Sequence, residues 1–181
     1  MGHPVGWSGY TARMDTERAR KLLLGLPHVV ETQQWGDNLV FWVGSKLIGG
    51  KMFCLINLSA DAQGVVSFAA GPERFAELVE QEGLKPAPYM ARIFWVAAER
   101  WDALRNADWE QVLTAAHAMT LAKLPKRTLE VLALPAKDRE AVIAEKRRAK
   151  ACGVPAPEVK KAVRKGAAPN AVRGRKTSRP G

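Results

Sequence analysis

The spacing of apolar positions divides the chain into helical and extended stretches. Leu22, Leu23 and Leu26 share one side of a helical wheel, and Asp15 or Thr16 can accept the free N–H groups of a first turn. A helix is predicted from there to about Gly25, ended by Leu26-Pro27. The helical period is then lost. Leu39–Val43, Lys51–Leu58 and Val65–Ala70 read as strands, separated by Gly44-Ser45-Lys46, by Gly49-Gly50 and by Ala60–Gly64. These connections are too short for crossover helices, so the strands should run antiparallel. Pro72 opens a second helix with Phe75, Leu78 and Val79 inward and Gly83 as its stop. Lys85-Pro86-Ala87-Pro88 reads as an extended linker, and Ile93–Ala98 as a fourth strand. Asp108 is predicted to cap a third helix that carries Trp109, Val112, Leu113, Ala116 and Thr120 on one face and closes at Leu124-Pro125. A fourth helix follows Pro135, over residues 136–152.

The order α-β-β-β-α-β-α with sequential strands defines an α+β fold: an antiparallel sheet with helices packed on one face. One feature conflicts with a simple two-layer arrangement. The strands are apolar at both parities, as at Phe41 and Trp42, Phe53 and Cys54, Phe94 and Trp95. Either the second face is covered as well, or it is a contact surface. The organisation expected is a loose leader at 1–13 (Met14 could be the true start), an α+β domain at 14–135, a basic helix at 136–152 and a cationic tail at 153–181. That last segment holds four Pro, four Gly and no aromatic residue, a composition that predicts disorder in the free protein.

Composition sharpens this picture at two points. Among 181 residues, 47% are apolar, enough for a real core, and no run approaches the ~20 residues of a membrane-spanning helix. Charge is segregated. Residues 1–136 carry 14 Lys+Arg and 14 Asp+Glu, whereas residues 137–181 carry 14 and 4, so 14 − 4 = +10 places the whole net charge in the last quarter of the chain. A neutral body with a polycationic end points to a polyanionic partner.

Signatures of catalysis are sparse. Gly44–Lys51 has the look of a phosphate-binding loop, but Gly50 interrupts it, Met52 replaces the hydroxyl and a strand follows, so a hairpin turn is the better reading. His3, His28 and His117 stand alone, without a second ligand at metal spacing, and Cys54 and Cys152 form neither a disulfide framework nor a metal pair. Two isolated cysteines fit a reducing, cytoplasmic setting. Of six tryptophans, Trp42 and Trp95 would be able to stack on a base if the sheet face were open, but core positions are favoured.

Several short motifs, in order, resemble the MmcQ/YjbR family of small bacterial proteins: Leu26-Pro27 with Glu31, Trp35-Gly36, Phe41-x-Val43, Gly50-Lys51-Met52-Phe53, Pro72-Glu73-x-Phe75, Pro86-Ala87-Pro88-Tyr89, Trp95-Val96 and Leu124-Pro125-Lys126-Arg127. The resemblance covers about residues 14–130. It implies a curved antiparallel sheet of the double-wing or CyaY-like kind, similar to a phage DNA-binding domain and also to type III secretion chaperones. It implies DNA binding by analogy of fold, no cofactor, and no catalytic residues to carry over.

The functional expectation is therefore a non-enzymatic, cytoplasmic DNA-binding protein. Lys160, Lys161, Arg164, Lys165, Arg173, Arg175, Lys176 and Arg179 of the tail would neutralise phosphates, assisted by Lys46, Lys51 and Arg92 near the sheet and by Lys126 and Arg127 after the third helix. RNA offers the same phosphates, no membrane partner is expected, and a homodimer is compatible with the pattern. The alternative is a protein-interaction or chaperone-like module working through an apolar sheet face. Exposure of Trp42, Phe53 and Trp95 separates the two.

Overall fold

A computed structural model describes residues 13–59 and 64–152. Helix α1, Thr16–Gly25, starts where Asp15 accepts the Arg18 N–H on its carboxylate, and buries Ala19 and Leu23. Six strands follow in one antiparallel sheet: β1 Val29–Gln34, β2 Asn38–Val43, β3 Lys51–Asn57, β4 Val66–Ala69, β5 Leu84–Pro86 and β6 Trp95–Ala98. Their spatial order is β1-β2-β3-β4-β6-β5. Helix α2, Pro72–Val79, packs on β5 and β6, and α3, Asn106–Ala122, lies across β2, β3 and β4. Two more helices close the described chain, α4 at Lys126–Leu132 and α5 at Ala136–Ala151.

The core forms between α3 and the sheet. Trp109 is fully buried, its ring edge-on to Phe68 and to Trp101, and its indole N–H donates to the Trp101 carbonyl at 2.7 Å. Such a satisfied, buried indole is worth about 3–5 kcal/mol against truncation to Ala. Between β2 and β3 the register shifts at Phe41/Trp42, so that Phe41 faces Cys54 while Trp42 faces Met52. Phe53 is the extra residue of this bulge, and its ring meets His117 of α3 edge-on at 5.3 Å. His117 in turn donates from Nε2 to the Pro27 carbonyl at 2.8 Å, a bond that fixes the proton on that nitrogen because a carbonyl can only accept.

The double apolar parity of the strands has a local explanation. Trp42 lies on the face opposite α3, where its indole N–H donates to Thr32 Oγ1 at 2.9 Å and the Lys46 ammonium sits 5.6 Å over its ring. Trp42, Phe53 and Trp95 are 8%, 0% and 4% exposed. Phe53 points toward α3, and on the second face Trp42 is closed in by its neighbours.

The structure corrects several local expectations. Residues 29–34, where the apolar pattern assigns no element, form an edge strand, and the first part of the expected linker at 85–88 is the edge strand β5. Pro86 is tolerated there because an edge strand leaves one side unpaired. The third helix begins at Asn106, with Asp108 in its first turn gripped by Arg105 instead of serving as the cap. Lys126 and Arg127 do not trail α3; they open α4 behind Pro125. Helix α5 packs Val142 and Ile143 against the core cluster while the rest of its length is largely exposed. The leader (apart from Arg13) and the expected disordered tail lie outside the described residues.

Candidate nucleic-acid interface

Sheet register sorts the loops into two ends. Val29 pairs with Val43, Val43 with Lys51, Ala69 with Trp95, and Pro86 with Val96. His28, the Gly44–Gly50 connection, Ala70-Gly71 and the Ala87–Phe94 connection therefore share one end. Trp35–Asp37, Leu58 and Glu99 share the other. Helix α3 runs from the second end to the first: its Asn106 accepts the Met14 N–H at 2.7 Å, and the carbonyl of Lys123, just past its last turn, accepts the Lys51 ammonium at 2.7 Å.

This geometry gathers Lys46, Lys51, Arg92, Lys126 and Arg127 at a single end of the sheet, although they are scattered over eighty residues of sequence. All five are exposed. Lys123 joins them. Ser45 caps the short 3-10 turn that presents Lys46, and Gly49 ends that turn in the left-handed conformation at φ 90°. Gly50 follows with its Cα so close to Gly44 that a Cβ would lie 2.0 Å from the Gly44 carbonyl oxygen. A short 3-10 turn at Ala91–Ile93 presents Arg92. Helix α4 is held by Thr128, whose hydroxyl donates to the Ile48 carbonyl at 2.8 Å, and by Leu132 against Gly44.

Electrostatics separates the two ends further. The ion pairs among the described residues are Arg13–Asp102, Arg20–Glu31, Lys85–Glu99, Arg100–Glu82, Arg100–Asp102 and Arg105–Asp108. Every one lies within residues 13–108 and away from the Lys46 end. Arg20 holds Glu31 with two bonds of 2.6 and 2.9 Å, and its guanidinium is raised above its usual range first by that bond and then by the carboxylate charge. Hydrogen bonding from Arg105 is the largest influence on Asp108, holding its carboxyl below the ordinary value. Lys46, Lys51, Arg92, Lys123, Lys126 and Arg127 have no carboxylate partner among the described residues, nor do Lys137, Lys146, Arg147, Arg148 and Lys150 of α5. Arg139 donates to the carbonyls of Leu132 and Leu134 and faces His28.

The position of Lys126 and Arg127 carries its own meaning. Cations in the first turn of a helix oppose its dipole and cost a few tenths of a kcal/mol each, about 0.3–1 at most. Helix α4 has no acid in that turn. Its basic start is thus not explained by stability.

Lys160, Lys161, Arg164, Lys165, Arg173, Arg175, Lys176 and Arg179 lie outside the described residues. Other chemistry is thin. Among the described residues no group of three or more His, Cys, Asp or Glu could hold a metal ion. Cys54 is fully buried, which pushes its thiol up, and Cys152 is exposed; both are free. No helix among the described residues is long and apolar enough to cross a membrane. Sequence reasoning missed the exposed aromatic Tyr89, which stands in the same loop as Arg92.

An antiparallel sheet of this order, curved under one layer of helices, is an α+β domain of a defined class. The YjbR family model matches residues 24–119, and the chain belongs to that family. Among solved structures it is similar to the Deinococcus radiodurans protein DR2400, which carries the DUF419 domain. The two share 24% identity over 66% of this chain and 88% of that one, with a TM-score of 0.57. That likeness shows a common fold. Comparison with curated proteins finds no match.

Proposed function

We propose that this protein binds DNA without catalysing a reaction, in the cytoplasm, through phosphate contacts made by the basic end of the domain together with the cationic C-terminal segment. One observation carries the reading: Lys46, Lys51, Arg92, Lys123, Lys126 and Arg127 gather at one end of the sheet without a carboxylate partner among the described residues, and further such cations follow in α5. Cations already tied to carboxylates gain little from a phosphate. Unpaired ones release counterions when they meet it. Helix α5 leads from this end into residues 153–181, which hold eight Lys+Arg and one acid, a net of 8 − 1 = +7.

The contacts set affinity and carry little sequence information. RNA meets the same phosphates. The rival reading, a protein-interaction module, required an apolar sheet face, and Trp42, Phe53 and Trp95 are buried.

The test is a salt titration of DNA binding by the full chain and by residues 1–152. Cutting there spares Val142 and Ile143, which pack on the core. With about five phosphates neutralised, log K falls against log[salt] with a slope of about −4 to −5. The shortened chain should keep a shallower slope and a much lower affinity. Equal binding by both chains at the same salt refutes the role of the C-terminal segment, and absence of binding at low salt refutes the function.

A further inference from the structure

Among the large apolar and aromatic side chains of the described residues, Tyr89 is the most exposed: its ring stands fully in solvent. Its backbone is left-handed, at φ 63°, a conformation that bulky residues adopt only when the surroundings impose it. The surroundings here are a stapled loop. The Ala87 N–H donates to the Trp95 carbonyl at 2.9 Å, and the N–H of Met90 to Ala87 at 3.1 Å, closing a turn with Tyr89 at its tip. At the other end of the loop the Phe94 carbonyl accepts from Ala70 and Gly71, while the Phe94 ring packs edge-on to Phe75 at 5.8 Å. The loop is therefore built to hold an aromatic ring away from the core. Arg92, exposed and without a carboxylate partner among the described residues, sits three residues on, and the loop lies at the basic end of the sheet.

Trp35 offers the internal comparison. It too is exposed and left-handed, at φ 51°, but it belongs to the β1–β2 hairpin turn, at the end of the sheet where Asp37 and Glu99 stand. Phosphates would not be drawn there.

We propose that the Ala87–Phe94 loop is a contact for an unpaired base of single-stranded nucleic acid, with Tyr89 stacking on the base and Arg92 meeting a neighbouring phosphate. The inference rests on the nucleic-acid reading above and narrows its partner. Cations alone bind duplex and single strand alike. A free aromatic face distinguishes them, because in a duplex the faces of the bases are already stacked on one another. The charge around the loop selects a polyanion over an apolar protein surface.

The experiment uses the full chain and labelled oligothymidylate, oligouridylate and a DNA duplex of the same length, read by fluorescence anisotropy at one salt concentration. Tyr89→Ala should weaken single-strand binding by about tenfold, the loss of one base–aromatic stack, and leave duplex affinity within about twofold. Tyr89→Phe should retain binding, and Trp35→Ala should change nothing. Because the Tyr89 ring touches no core, its variants should melt as the parent does. Loss on thymidylate, uridylate or both supports the contact. Single-strand binding unchanged by Tyr89→Ala, or an equal loss on duplex, overturns it while leaving the phosphate reading intact. Failure of every probe to bind overturns both.

Discussion

Thr128 of α4 donates its hydroxyl to the Ile48 carbonyl at 2.8 Å, across eighty residues of sequence and entirely within the protein. This bond joins the helix that opens with Lys126 and Arg127 to the turn that presents Lys46. It sets the spacing of the basic end. Thr128→Val keeps the shape and removes the donor, leaving a buried carbonyl unpaired. The expected loss is about 1–3 kcal/mol. It should appear as a lower urea midpoint with an unchanged slope, whereas Thr128→Ser, which keeps the hydroxyl, should lose less.

Two glycines near the hairpins differ in what they require. Gly50 must be small because a Cβ would lie 2.0 Å from the Gly44 carbonyl oxygen, a backbone atom that cannot swing aside. Gly36, at φ 80°, has open space around it, so Ala there meets only the left-handed backbone penalty of about 1–2 kcal/mol. Gly50→Ala should cost at least about 3 kcal/mol, among the severe single changes. Comparison of the two variants by thermal unfolding separates steric exclusion from backbone preference. Similar small losses in both would show that the Gly44–Gly50 approach can open.

The elements with a strong apolar pattern were legible from sequence: α1 with its Asp15 cap, the strand at Leu39–Val43, and the long face of α3. Those that the sequence concealed had physical reasons to be quiet. Strand β1 is Val-Val-Glu-Thr-Gln-Gln, an edge strand with a single neighbour, so polar residues are tolerated along it. Helix α4 has only seven residues, and Pro125 reads as a stop although it is a start. The cations of the candidate interface are visible one by one in the sequence, but their meeting at one end depends on strand register, which no local pattern encodes. Trp42 has the size of a stacking surface and alternates with Phe41; the structure buries it under Lys46. Tyr89 is visible in the sequence as part of a family motif, but its exposure is not, because the stretch Pro-Ala-Pro-Tyr has no periodicity to betray it.

His28 links stability to pH. Partial desolvation lowers its pKa first, followed by the charges of Arg139 and His117. A histidine with a depressed folded value binds its proton more readily in the unfolded chain, whose value is near 6.5. Stability from this source is therefore intact above about pH 6.5 and declines as pH falls toward the folded value. Asn tolerates the left-handed backbone that His28 adopts at φ 61°. Urea midpoints taken at about pH 7.5 and at about pH 5 should differ less in His28→Asn than in the parent. An identical pH dependence in both proteins would show that His28 does not govern it.

The basic start of α4 allows function to be separated from folding. Lys126 and Arg127 oppose the helix dipole and have no carboxylate partner among the described residues, so removing both should leave stability unchanged or raise it, by up to about 1 kcal/mol. If they meet phosphates, the same double substitution to Ala should weaken DNA binding across sequences and reduce the salt slope by about 2, one for each phosphate left without its cation. Arg100 supplies the contrast: it is held by Glu82 and Asp102 at 2.9 Å, at the opposite end of the sheet. Arg100→Ala should leave the salt slope of DNA binding where it was. A slope that falls by about 1 in the Arg100 variant, half the fall in the double variant, would mean that net charge, and not the placement of cations at the Lys46 end, governs binding. A slope unmoved in the Lys126/Arg127 variant would remove α4 from the interface and leave the C-terminal segment to bind alone.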